Sequence, residues 1–340
     1  MRSAMTRVLL GIVVLSGAVP PCPLRANPIC VRRQKMKWVL TCFVTALLIL
    51  AAPICSADEL TAFDNHLEQL EDFLAKYSPP SVLDTETLEN LDGGLSLFLG
   101  DLSAMMAGVD QARRTRALAI VESIFSRRYG LKSPALALSL LNRYDPVRAR
   151  ELAYGGLRDT VPVVTMASAA ILLQAGEWDL AAPVLDSLGD FRALTSTSDP
   201  RAVPLLHRAI ETAVDPERRI SAAYWLGYVY KEWDTALATA RQETLQNRDK
   251  MSDYWRAMTL QILRNGTSSE DVRAIAEFVR DSEGSVGVVG DALDALARMA
   301  LRGVPDAETT LQNLAASGSE ERKASVRQVL KHLKEAKEAK

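Results

Sequence analysis

Apolar residues recur at spacings of three and four along residues 58–340, and no convincing alternating run marks a strand. Leu60, Phe63, Leu67, Leu70 and Leu74 fall on one face of a helix predicted over 58–76. The stretch "YSPPSVLD" breaks that helix. Two more helical patterns follow at 85–97 and 101–127, the second with a break near Gly108. From Asp145 onward the pattern is punctuated. Asp145-Pro146, Asp199-Pro200 and Asp215-Pro216 each open a helical run. An Asp side chain accepts hydrogen bonds from first-turn N–H groups, and Pro at the first helical position gives up a donor that had no partner. The spacing predicts short amphipathic helices in pairs: 146–157 with 162–175, 179–188 with 200–213, 216–230 with 234–245, 251–264 with 270–280, and 286–302 with 306–316. A last helix, 320–337, has acids in its first turn and lysines at its end, the order that the helix dipole favours.

Helix pairs recurring at about 34 to 38 residues predict a stacked array, because one such unit cannot bury its apolar face alone. The expected fold is all-α, with antiparallel helix pairs stacked as an α-solenoid over 146–340 and an N-terminal helical region over 58–145. Two local motifs agree. Leu226-Gly227-x-x-Tyr230 places a Gly where paired helices approach closely, with a Tyr to fill the space beside it. In "LLQAGEWDLAAPVLDSL", residues 172–188, Gly176 suits a turn, Ala181 a close contact and Leu185 its large apolar partner. Both segments resemble tetratricopeptide repeats, although Ala223 stands where that family often has Trp. The alanines Ala236, Ala238 and Ala240 also come early, which implies a short loop after Tyr230. A third segment, "SDPRAVPLLHRAIETAVDPERRISAAYWLG", residues 198–227, looks more like a HEAT-type repeat. The resemblance implies a protein-interaction scaffold with a concave surface, and it implies no chemistry.

Residues 1–57 break the amphipathic pattern. Residues 38–54 are almost wholly apolar, Lys37 precedes them, and Cys55-Ser56-Ala57 follows. Small residues thus occupy the −1 and −3 positions of a cut before Asp58, as in a secretory signal. The run is about 17 residues long, at the bottom of the membrane-spanning range, and no positive stop follows it. The expectation is a signal peptide over 36–57 and a periplasmic or secreted protein, with an anchor through residues 38–54 as the alternative. Lipidation of Cys55 is opposed by Pro53-Ile54, and a twin-arginine reading of Arg32-Arg33 by Lys35. Residues 1–35 read as an upstream over-extension ahead of a start at Met36, or as a cytoplasmic tail.

Charge sharpens the boundary at Asp58. Seven of the 40 bases and none of the 42 acids precede it, which leaves 33 bases against 42 acids in the rest. A body this acidic argues against nucleic acid as the partner. All four cysteines, Cys22, Cys30, Cys42 and Cys55, also lie in the leader, so residues 58–340 can form neither a disulfide nor a thiolate metal site.

Candidate chemistry is sparse. His66, His207 and His332 have no metal-ligand spacing, and no phosphate-binding loop, zinc-hydrolase motif or nucleophile elbow occurs. Gly284, Gly287 and Gly290 follow no strand and read as a loop before a helix. No cofactor and no enzymatic activity are expected. Aromatics are concentrated at Trp178, Tyr224, Trp225, Tyr228, Tyr230, Trp233, Tyr254 and Trp255. Packing between repeats accounts for most of them. The functional alternative is an aromatic-lined groove for a peptide or glycan, because Trp and Tyr give contact area at low entropy cost. Trp225, Trp255, Tyr228 and Trp178 are its candidate residues. Ten bases from Arg113 to Arg158 suggest solvated helix faces or a patch for an acidic partner or lipid headgroups, with Arg113 and Arg116 as candidates. Asn265-Gly266-Thr267 would accept a glycan in a eukaryotic secretory pathway. The function expected is an extracytoplasmic scaffold that binds a protein or peptide. A cell-envelope enzyme without a recognisable motif and a membrane-tethered structural component remain as alternatives.

Overall fold

A computed structural model of the chain describes residues 57–77, 84–280 and 285–338. The apolar run 38–54 and residues 1–35 lie outside the described residues, and with them the expected signal or anchor. Among the described residues the regular structure is all helical, and no helix is long and apolar enough to cross a membrane.

The α-helices are α1 (Ala57–Lys76), α2 (Thr85–Met105), α3 (Gln111–Arg127), α4 (Ser133–Tyr144), α5 (Pro146–Gly156) and α6 (Pro162–Gln174). Then come α7 (Trp178–Leu188), the single turn α8 (Phe191–Leu194), α9 (Ala202–Thr212), α10 (Pro216–Tyr230) and α11 (Trp233–Asn247). A 3-10 turn, Arg248–Lys250, precedes α12 (Asp253–Leu263), α13 (Ser269–Arg280), α14 (Val286–Leu301), α15 (Ala307–Ala316) and α16 (Glu320–Glu338). Two compact units are distinguished. One runs to Ala62 and includes Ala107–Asp110; the other holds Phe63–Met106 and everything from Gln111 onward.

The expected apolar faces are buried. Phe63, Leu67, Leu70 and Leu74 of α1 are out of contact with solvent, as are Ile220, Ala223, Leu226 and Gly227 of α10. Asp145 and Asp215 open their helices as expected, accepting from the N–H of Arg148 and of Glu217. Asp199 behaves differently. It accepts from the N–H of Arg201 in a turn, and α9 starts only at Ala202. Another difference lies in α2, which runs unbroken through 97–101 because Leu95, Leu99 and Leu102 all turn into the core.

Within the larger unit, each helix from α3 to α8 and from α9 to α16 packs on its successor. The even-numbered helices also touch one another in order, α2 on α4, α4 on α6, and so through α8, α10, α12 and α14 to α16. Gly227 explains one close approach. A Cβ there would lie 2.9 Å from ring carbons of Trp233 and 3.2 Å from Ala236, so only Gly lets α10 meet α11 at this point. Gly176 takes φ +88° in the turn between α6 and α7, and Ala181 and Leu185 beyond it are buried.

Helix α4 had no predicted counterpart, and the reason is physical. Its own N-cap residue, Lys132, makes no side-chain cap bond. The capping oxygens come from Asp92 on α2, which accepts from the N–H groups of Leu131, Lys132 and Ser133 at 2.7–3.0 Å and from the Ser133 hydroxyl at 2.7 Å. Asp92 is buried, so a full carboxylate is compensated by four donors at a helix N-terminus, where the dipole also favours it. Gly130, at φ +82°, leaves room for this, since a Cβ there would fall 2.3 Å from an Asp92 carboxyl oxygen.

Candidate functional site

Tyr224, Trp225 and Tyr228 of α10 form one connected aromatic set with Trp233 of α11. On α10, Tyr224 and Tyr228 stand one turn apart with ring centres 4.3 Å apart. Trp225 sets its edge against Tyr224 at 5.2 Å, and Tyr228 meets Trp233 edge-on at 5.0 Å. The two edge-to-face pairs have a favourable aromatic geometry. The phenol groups reach across to α12. Tyr224 donates to the Gln261 side-chain oxygen and Tyr228 to the Gln261 carbonyl, both at 3.4 Å. Arg264, just past the end of α12, donates to the Tyr228 hydroxyl at 3.3 Å.

Burial pushes the Tyr224 hydroxyl above its usual range. The neighbouring Tyr228 adds to that effect, the Arg264 charge opposes it, and Tyr254 adds a smaller push. Tyr254 lies in the first turn of α12. It packs edge-on to Trp255 at 5.0 Å and is itself 64% exposed.

The structure separates the candidate aromatics by role. Trp255, Trp233 and Tyr224 pack against the buried cluster of Ile220, Ala223, Leu260 and Leu263, so much of their area stabilises the fold. Trp225 and Tyr228 are half-buried members of the surface, and Tyr254 is its most exposed member. Trp178 belongs to another cluster. Arg201 stacks over its ring at 4.6 Å while holding both carboxyl oxygens of Asp199. That guanidinium keeps the Asp199 carboxyl below its ordinary range, and Tyr230 donates to the Asp199 carbonyl at 2.7 Å.

Several of the bases between Arg113 and Arg158 are taken up by acids. Arg113 forms a two-pronged pair with Asp64 at 2.7 Å, and Arg116 does so with Glu71 at 2.5 Å, tying α3 to α1. Arg148 reaches Glu122 and Glu151, Arg128 reaches Asp159, and Arg150 reaches Glu177. Hydrogen bonding from Arg148 holds the Glu122 carboxyl below its ordinary range.

Sequence reasoning grouped Trp178 and Tyr230 with the aromatics of α10 and α12, from which the structure separates them, and did not single out Tyr254 or Arg264. Tyr254 could be found only by knowing which face of α12 stays open. Arg264 is an ordinary base until α10 brings Tyr228 beside it. A separate apolar hollow of about 550 Å³ lies along Val286, Val289, Gly290 and Leu293 of α14 and Glu321, Arg322 and Ser325 of α16. Among the described residues no group of three His, Cys, Asp or Glu side chains could hold a metal ion. No protein-family model, no curated protein and no solved structure matches the chain.

Proposed function

We propose that this chain is a helical-repeat scaffold that binds an extended segment of a partner protein on the aromatic face of α10 and α12. The observation that carries the reading is the connected set of Trp225, Tyr224 and Tyr228 on α10, backed by Gln261 and Arg264, with Tyr254 exposed on α12, the helix packed against it. Rigid aromatic rings offer area with little rotamer entropy to lose, and the flanking amide and guanidinium supply hydrogen bonds that fix a bound backbone. The even-numbered row of helices supports an α-solenoid of tetratricopeptide- or HEAT-like pairs, in which such a face repeats along one side. The apolar run at 38–54 supports export, with Asp58 as the mature N-terminus.

The test is selection from a displayed peptide library on the full chain, followed by affinity measurement with Tyr254→Ala and Trp225→Ala. Both positions carry partly solvent-exposed rings, so both variants should fold. Each is expected to weaken a selected peptide by about tenfold, the range of an interface anchor. Affinity unchanged in both variants would remove this face as the site. N-terminal sequencing of the exported fraction tests the localisation, and an intact leader in a cytosolic fraction would overturn it.

A further inference from the structure

We infer that the bound segment is acidic, with carboxylates spaced to meet a row of three cations at the C-terminal ends of α10, α12 and α14. The inference rests on the peptide-binding reading above and adds the chemistry of the partner. Lys231, Arg264 and Arg302 occupy the C-cap positions of these three helices, which pack one on the next. All three connect to the aromatic face. The Lys231 ammonium donates to the Tyr228 carbonyl at 2.7 Å, Arg264 donates to the Tyr228 hydroxyl, and Arg302 donates to the Arg264 carbonyl.

None of the three has a carboxylate partner among the described residues. Their contacts are carbonyl and hydroxyl oxygens, which leave most of the donors of each group open. The acids within four residues in sequence are Glu232, Asp234 and Asp306, and Glu232 is taken up by His207 at 2.7 Å. The helix dipole favours a cation at any C-terminus, but it does not select these three. The earlier members of the same row, α2, α4, α6 and α8, carry Met106, Asp145, Ala175 and Thr195 at the C-cap, none of them a base.

Lys231 adds an independent sign. It holds φ +64°, a left-handed conformation that Gly adopts freely, and Gly fills the corresponding turns at Gly176, Gly189 and Gly303. A lysine there costs about 1 kcal/mol of backbone strain. Strain of this kind at a surface position points to a use for the side chain.

Helices in contact lie about 8–10 Å apart, so the cations recur at about that spacing. A polyproline-type extended strand repeats every three residues at about 9 Å with the same face presented. An acid at every third position would therefore reach one cation per helix while the intervening residues lie on the rings.

The experiment uses the full chain and two labelled peptides read by fluorescence anisotropy. One carries Glu at every third position with Pro and Trp between, and its twin carries Gln instead of Glu. The Glu peptide is expected to bind at least about tenfold more tightly at about 50 mM salt and to lose that advantage at about 300 mM. Lys231→Gly and Arg302→Gln should each weaken the Glu peptide by about three- to tenfold and leave the Gln twin unchanged, whereas Arg264→Gln should weaken both peptides and the Glu peptide more. Lys231→Gly should hold or raise the Tm, which separates lost binding from lost folding. Equal affinity for both peptides, or full affinity in the triple variant, overturns the inference. If both peptides bind equally and Tyr254→Ala weakens both, the docking face stands and the acidic partner falls. If neither binds, both fall. Phosphatidylglycerol vesicles captured through the same three cations, with no peptide bound, would assign the row to lipid and likewise overturn it.

Discussion

The α3–α5 region and the ends of α10, α12 and α14 are both rich in bases and use them in opposite ways. In the first, guanidinium groups end on carboxylates: Arg113 on Asp64, Arg116 on Glu71, Arg148 on Glu122. In the second, Lys231, Arg264 and Arg302 end on carbonyl and hydroxyl oxygens. The first arrangement joins elements together, and the second leaves charge open at the surface. The density of bases along the chain does not by itself say which of them meet an acid. What matters is whether an acid arrives from another element: in the N-terminal half α1 supplies Asp64 and Glu71, α3 supplies Glu122, and the turns after α5 and before α7 supply Asp159 and Glu177.

The largest effect is expected from removing the buried acid that α2 lends to the start of α4, at the edge of the first region. Asp92→Ala would leave three N–H groups and the Ser133 hydroxyl without their acceptor in a buried site. The expected loss is about 3–5 kcal/mol in urea unfolding. Asp92→Asn keeps one acceptor oxygen and should recover part of it. A loss below about 1 kcal/mol for the Ala variant would show that water can replace the carboxylate.

Gly227→Ala acts at the base of the second region. The new methyl would press on Trp233 and shift the ring that Tyr228 packs against. A cost of about 1–3 kcal/mol is expected, together with a change in near-ultraviolet circular dichroism from the displaced indole. Smaller and opposite in sign is Lys231→Gly, which should stabilise by about 0.4–1 kcal/mol by relieving the left-handed lysine. A destabilised Lys231→Gly would mean that the bond to the Tyr228 carbonyl outweighs the strain.

The smallest effect is a pH slope. The Glu122 carboxyl in the folded protein titrates below its unfolded value because Arg148 donates to it. Its stabilisation is therefore complete above the ordinary glutamate range near 4.5 and is lost as pH falls through the lower folded value. Arg148→Gln should flatten the decline of Tm below that pH. An unchanged slope would place the acid sensitivity elsewhere.

Much of the fold was legible because the forces involved are local. Phe63, Leu67, Leu70 and Leu74 announce their helix by spacing alone, and Asp215-Pro216 marks the start of α10 within three residues. Helix α4 was not legible, because its cap sits forty residues away on α2. The continuity of α2 across 97–101 was hidden for a related reason: Gly100 reads as a breaker, and the burial of Leu99 and Leu102 overrides it. In the candidate site, composition revealed the aromatic cluster. The division of Trp255 to the core and Tyr254 to the surface depends on which side of α12 faces α10 and α14, and a one-dimensional pattern does not carry that.

The Asp92 contact also imposes an order on synthesis. When α2 leaves the ribosome, its carboxylate has nothing to bind, and about forty more residues must follow before Ser133 arrives. Until then α4 has an unfinished first turn and α2 has a bare anion on a face destined for the interior. The contact joins the second and fourth helices, and neither side of it is satisfied until both are present. A nascent chain stalled before residue 133 would expose that face to proteases, and one stalled past α4 would not.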